Sequence, residues 1–130
     1  MGLLNKIFGG SNEPKEKKIL PWIPLNDLQQ IQHIIEKSKT KPQAIFKHST
    51  RCGISRMVMN QFIDSYNLTE NDLDLYYLDL LSFRDVSNEV GVQFMVMHES
   101  PQLIVIKNES VVNHASHGAI NNVDLSTYIN

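Results

Sequence analysis

The chain has 130 residues, of which 42% are apolar and 20% charged, and its formal net charge is −2. That length and balance suit one soluble domain around a single core. They exclude the basic, aromatic-studded face of a nucleic-acid binder; the single cysteine excludes an internal disulfide scaffold, and no apolar run is long enough to span a membrane.

Residues 1–18 read as a flexible N-terminal segment and linker, and residues 19–130 as the domain. Leu3, Leu4, Ile7 and Phe8 could form the apolar face of a short helix, but a loosely ordered terminus is the simpler expectation. Gly2 has Lys6 where a myristoylation signal wants Ser or Thr, and no secretory cleavage site follows. Ser11 to Lys18 are polar and contain Pro14, as linkers do.

Within the domain, Asn26 is placed to cap a helix, with Gln29 completing a capping box. Leu28, Ile31, Ile34 and Ile35 then recur at helical spacing. Gln43–His48 is a short apolar strand. Ser49-Thr50-Arg51-Cys52 forms a turn, and Val58, Met59, Phe62, Ile63 and Tyr66 put one apolar face on a helix over residues 53–66. Leu73–Leu80 is a second strand. Ser82 and Asp85 start a shorter helix burying Phe83, Val86 and Val90, with Gly91 to close it. Gln102–Lys107 and Val111–Ser116 form a hairpin about Asn108-Glu109-Ser110. Asn121 or Asn122 caps a last helix carrying Val123, Leu125, Tyr128 and Ile129. The alternation followed by a hairpin predicts an α/β fold: a central mixed four-stranded sheet flanked by helices on both faces.

Cys52 at the mouth of its helix carries the chemistry. A thiol there meets free backbone N–H groups and the positive end of the helix dipole, which favour the nucleophilic thiolate. Gly53, Ile54 and Ser55 supply the amides, the Ser55 hydroxyl is placed to donate to the sulfur, and Arg51 adds a cation if it turns back. The alternative is a small buried structural cysteine. The five histidines offer no metal set: His114 and His117 point to opposite faces of a strand, His98 is a loop residue, and His33 and His48 read as surface or edge residues. Met57, Met59, Met95 and Met97 read as packing rather than a copper site.

The element order, with a reactive-looking cysteine after the first core strand and Pro101 before the hairpin, resembles the thioredoxin fold. That resemblance implies a cis bond before Pro101, whereas an ordinary turn proline would be trans. A closer similarity is to YtxJ-type, bacilliredoxin-like bacterial proteins. It rests on Thr50, Cys52 and Ser55, on Arg84 and Val86-Ser87-Asn88, on His98-Glu99-Ser100-Pro101-Gln102, and on His114-Ala115-Ser116-His117. Arg51 and Gly53 depart from the pattern, which favours proline after the cysteine.

The resemblance implies a cytoplasmic monothiol thiol–disulfide oxidoreductase, with Cys52 as nucleophile and Thr50, Ser100 and Pro101 contacting substrate. Ser55 replaces the second cysteine of a C-x-x-C motif, so Cys52 cannot be resolved internally. S-thiolated proteins are then the partners, a small thiol such as bacillithiol the co-substrate, and a monomer without resident cofactor suffices. Cys52-Gly53-Ile54-Ser55 also resembles the Cys-Gly-Phe-Ser motif of monothiol glutaredoxins, which would make the chain an iron–sulfur cluster carrier. Here His117-Gly118-Ala119-Ile120-Asn121 stands where glutaredoxins bind the glutathione carboxylate. A redox-silent thioredoxin-like adaptor is the third alternative.

Overall fold

The structure, a computed structural model, describes residues 18–129; the expectations for the first 17 residues lie outside them. The order is β1 (Trp22–Pro24), α1 (Gln29–Lys37), β2 (Gln43–His48), α2 (Gly53–Ser65), β3 (Asp74–Asp79), α3 (Arg84–Phe94), β4 (Gln102–Lys107) and β5 (Ser110–Ser116), then two 3-10 segments, His117–Asn122 and Leu125–Tyr128.

The strands form one mixed sheet in the order β1-β3-β2-β4-β5. β1, β3 and β2 are parallel, β4 runs antiparallel to β2, and β5 runs antiparallel to β4 and so returns to the direction of the first three. The sheet has five strands rather than the four expected. β1 escapes pattern reading because it is three residues long and lies among prolines, which only an edge strand tolerates. Its Trp22 packs edge-on to Phe46 and Tyr77.

Alternate residues of the central strands feed two cores. Ala44, Phe46, Leu75, Leu103 and Val105 face Val58 and Phe62 of α2, with Ile120 and Leu125. Ile45, Leu78, Ile104 and Ile106 face Ile31 and Ile34 of α1 and Val86, Val90 and Phe94 of α3. Burial on both faces explains why β2 and β4 read as continuous apolar runs instead of alternating.

Three local expectations change. The capping box lies one residue later than predicted: Asp27 Oδ1 accepts from Gln29 N at 2.8 Å, and Gln30 Oε1 accepts from Asp27 N at 3.0 Å. Gly91 does not close α3, which continues to Phe94. Met95 takes the left-handed conformation (φ 55°) and Val96 N donates back to Gly91 O at 3.1 Å. A Cβ at position 91 would stand 3.2 Å from Val96 O, so the glycine serves that close return of the chain. The last helix is instead the two 3-10 segments. Only Ile120 and Leu125 are buried there, and Asp124 caps its own segment by accepting from Ser126 N. Without a sustained apolar stripe, local polar hydrogen bonds win over a longer helix.

Candidate active site

The site lies at the edge of the sheet where β2 ends. His48 is in register with Asp79 of β3, and Lys47 with Gln102 of β4. Because β4 runs the other way, its first residue meets the last turn of β2, and Pro101 comes to the same edge as the cysteine turn. The Ser100–Pro101 bond is cis. Pro101 O accepts from His117 N at 3.0 Å, which ties the loop to the end of β5.

Cys52 is the N-cap of α2. Its backbone is extended (φ −104°, ψ 122°), its carbonyl accepts from Arg56 N at 3.1 Å, and its sulfur makes no cap hydrogen bond. The N–H groups of Gly53, Ile54 and Ser55 therefore precede the first intrahelical bond and have no helix partner. Cys52 is a free thiol, partly exposed. Gly53 and Ile54 are exposed and Ser55 is fully buried.

Ser55 does not meet the expected partner. Its hydroxyl lies 2.8 Å from His48 Nδ1 and accepts from Ser49 N at 3.1 Å, behind the turn rather than on the sulfur. His48, read as a surface or edge residue, is 5% exposed. Burial holds its imidazole below the usual range, Asp79 opposes that, and Arg56 adds to it. Arg51 is exposed and has no hydrogen bond or ion pair among the described residues. The cation folded over the turn is Arg56: Nη1 donates to Thr50 O at 3.3 Å, and a Cβ on Gly53 would lie 3.8 Å from Nη2. Sequence reasoning missed Arg56; its spacing one turn after Cys52 on the same helix face was the available signal, but only the structure shows that it, and not Arg51, folds over the turn. His48 had no such signal, since its burial depends on α2 crossing the end of β2.

On the other face of β2, Lys47 is fully buried. Among the described residues its Nζ has one hydrogen-bond partner, His98 Nδ1 at 3.2 Å. Burial pushes the Lys47 amine down to about 8. His98 is also lowered, by burial and then by Lys47. Ser100 Oγ is buried without a partner, and Thr50 is exposed. The best-formed clefts lie away from the thiol. One of about 300 Å3 is lined by Phe62, Tyr66, Ile120 and Leu125, and one of about 470 Å3 by Trp22, Lys41, Glu70 and Asp74.

A helix-capping cysteine beside a cis-proline loop, at the end of the central parallel strand, is the arrangement of thioredoxin-fold thiol oxidoreductases. Comparison with known proteins narrows that class. Residues 23–125 match the family described as monothiol bacilliredoxin BrxC, and the chain belongs to that family. Among solved structures, it is similar to a protein described as having a thioredoxin fold and provisionally as an oxidoreductase. The two share 35% identity over 82% of this chain and 91% of that one, with a TM-score of 0.68. The fold is also that of the Malassezia sympodialis thioredoxin (16% identity, 92% of each chain, TM-score 0.60). Schistosoma mansoni thioredoxin agrees as well (17% identity, 83% of this chain and 92% of that one, TM-score 0.59). No helix among the described residues is long and apolar enough to cross a membrane.

Proposed function

We propose that the protein removes a low-molecular-weight thiol, bacillithiol or one like it, from mixed disulfides on proteins. One observation carries the reading: the partly exposed Cys52 caps α2 as the chain's only thiol, with Ser55 where a resolving cysteine would stand. The Cys52 thiolate attacks the small-thiol sulfur of a protein–S–S–R bond. The S–S bond breaks, the protein leaves as a thiolate that takes a proton from solvent, and Cys52 retains R as a new disulfide. A second small thiolate, RS⁻, then attacks that disulfide, leaving RSSR and the Cys52 thiolate. Electrons balance with no resident cofactor and no second subunit.

The surroundings support this use. Free amides of Gly53, Ile54 and Ser55 face the cap, and Arg56 brings a positive charge to the turn. Ile54 and Met57 are 59% and 53% exposed on the first turns of α2, an apolar rim suited to a protein substrate. Pro101 and the Ser100 backbone, with Thr50 across the turn, form the edge against which an extended substrate would lie. The position of Cys52 outside the deeper clefts suits a reaction partner that is itself a macromolecule.

Intact mass after incubation with an S-bacillithiolated protein is the test. One small-thiol adduct per chain is expected, stable until free thiol is added and absent in Cys52→Ala. An unmodified chain, with a brown colour after anaerobic purification with thiol, would assign the Cys-Gly-Ile-Ser turn to cluster carriage instead. An unmodified, colourless chain would leave an adaptor.

A further inference from the structure

We infer that Lys47 and Gln102 are positioning residues for the proline loop. This buried pair holds residues 97–99 from inside and so sets where Ser100 and Pro101 stand for a substrate. The inference rests on the reading of Ser100 and Pro101 as the edge against which substrate lies.

Lys47 and Gln102 are direct partners across β2 and β4, so their side chains share one face of the sheet. Two residues further along both strands, the same face carries the apolar pair Ile45 and Ile104. Lys47 and Gln102 are fully buried, and burying an amine is costly. An apolar pair would hold the strands at less cost. What the polar pair adds is direction. Lys47 Nζ lies 3.2 Å from His98 Nδ1. Gln102 Nε2 donates to Met97 O at 3.0 Å, and Gln102 Oε1 accepts from Glu99 N at 3.4 Å. Three consecutive loop residues are therefore tied to one cross-strand pair, directly before the cis Ser100–Pro101 bond. Apolar burial anchors them little. Met95 and Met97 are 90% and 85% exposed, and Val96 is the one buried residue from 95 to 99. Among the described residues, His98 has the only side chain of this loop that hydrogen-bonds to the sheet.

The Lys47–His98 bond has a direction. An ammonium donates and cannot accept, so His98 Nδ1 is bare and its ring hydrogen sits on Nε2. The bond is charge-assisted while Lys47 is protonated and His98 is neutral. Burial lowers Lys47 to about 8. Burial and then Lys47 hold His98 below the usual histidine range, and Glu99 opposes them. Lys47 on β2 and Glu99 on the same loop are the charged groups that act on His98. Between the two titrations the loop is pinned. As pH falls through the His98 value, the imidazolium has no lone pair to offer and the exposed ring leaves the amine. As pH rises past about 8, the bond keeps only its neutral form.

The test is amide hydrogen exchange and 15N NMR of the full chain, with kinetics on an S-bacillithiolated protein beside them. At neutral pH the wild type should show His98 with a bare Nδ1 and a protonated Nε2. The Glu99 amide bonds to Gln102 and the His117 amide to Pro101 O, so the two report on the loop. Lys47→Met should speed their exchange by about tenfold, the size of one charge-assisted hydrogen bond. The amides of Ile45 and Ile104 should not speed, because removing a buried amine does not weaken the sheet. The same variant should raise KM for the protein substrate about fivefold and hold kcat within about twofold, the split expected when placement is lost and chemistry is kept. Alkylation of Cys52 by iodoacetamide, which needs no docking edge, should match the wild type. His98→Ala should behave alike, and the double variant should be no worse than either single one. His98→Asn, whose Oδ1 can accept from the ammonium, should restore KM and remove the rise in KM that the wild type shows in acid.

Wild-type exchange of the loop amides in Lys47→Met, or a protonated His98 Nδ1 at neutral pH, would overturn the inference. So would faster loop amides with KM unchanged, since the pair would then place nothing for the substrate. If Lys47→Met fails to fold, His98→Ala and His98→Asn carry the same comparison. Faster loop amides in a chain that takes no small-thiol adduct would support the pinning pair and overturn the exchange reading. Adducts with unmoved loop amides would do the reverse.

Discussion

The two ends of the sheet treat buried polar groups in opposite ways. At the end where β2 begins, Gln43 Nε2 donates to Asp74 Oδ2 at 2.9 Å, Tyr76 donates to Gln43 Oε1 at 2.9 Å, and Lys41 Nζ lies 3.0 Å from Asp74 Oδ1. The charge is paired and the amide is used from both sides. At the end where β2 finishes, Lys47 is buried against a neutral imidazole, Ser100 Oγ has no partner, and Ser55 is shared between His48 and Ser49. A closed network fixes one arrangement; an open one leaves donors and acceptors for a substrate or a moving proton, at a cost in stability. Ser87 Oγ, in the first turn of α3, is likewise buried without a partner, and Tyr66 Oη, buried and unpartnered at the far end of α2, is the exception to the contrast.

Breaking the closed end should give the largest effect. Asp74→Ala removes the carboxylate that Gln43 and Lys41 share, leaving Gln43 Nε2 the Lys41 and Pro42 carbonyls and Lys41 Nζ the Glu70 carbonyl, and should cost about 2–4 kcal/mol in urea unfolding. Its Cys52 alkylation rate, measured under folding conditions, should equal that of the wild type. A slowed thiol would mean that the two ends are not independent.

The open end should respond in the opposite sense. Burial lowers Lys47 in the folded state to about 8, below its unfolded value of roughly 10.4. The unfolded chain therefore binds more protons between those values, and stability rises with pH across that window. The penalty is fully present below about pH 8. Lys47→Met should raise neutral-pH stability by about 1–3 kcal/mol and flatten the alkaline slope. A wild-type stability that falls steadily from pH 8 to 10 would show that Lys47 is not the dominant open group.

Tyr66→Phe should be the smallest change. It deletes a buried hydroxyl with no partner, so stability should hold or rise by up to about 1 kcal/mol. A loss beyond that would reveal a bond to the hydroxyl and remove the exception.

The readable parts of the sequence are those whose cause is local. Helical spacing of Ile31 and Ile34, and of Val58 and Phe62, located α1 and α2. The two-residue turn at Asn108 and Glu109, both left-handed in the structure, is the ordinary hairpin device. The position of Cys52 before an apolar helix and of Pro101 before an apolar strand was legible for the same reason, and the several short motifs in order pointed to the family. Local spacing could not find β1, whose three residues are a strand only because β3 offers a parallel edge. Nor could it decide which nearby cation, Arg51 or Arg56, folds over the turn.

Sequence alone determined the α/β fold class and a single cysteine at a strand-to-helix turn with no second thiol among the 130 residues to resolve it, because element periodicity and residue identity are properties of the chain itself. Tertiary structure alone decided what surrounds that cysteine. His48 becomes a buried partner of Ser55 because α2 crosses the end of β2. Lys47, next to it in the chain, is driven to the opposite face by strand alternation and is buried there, its amine against His98 of the loop that follows α3. Which side chains share a hydrogen bond depends on elements distant in sequence, and only their packing brings those groups within reach.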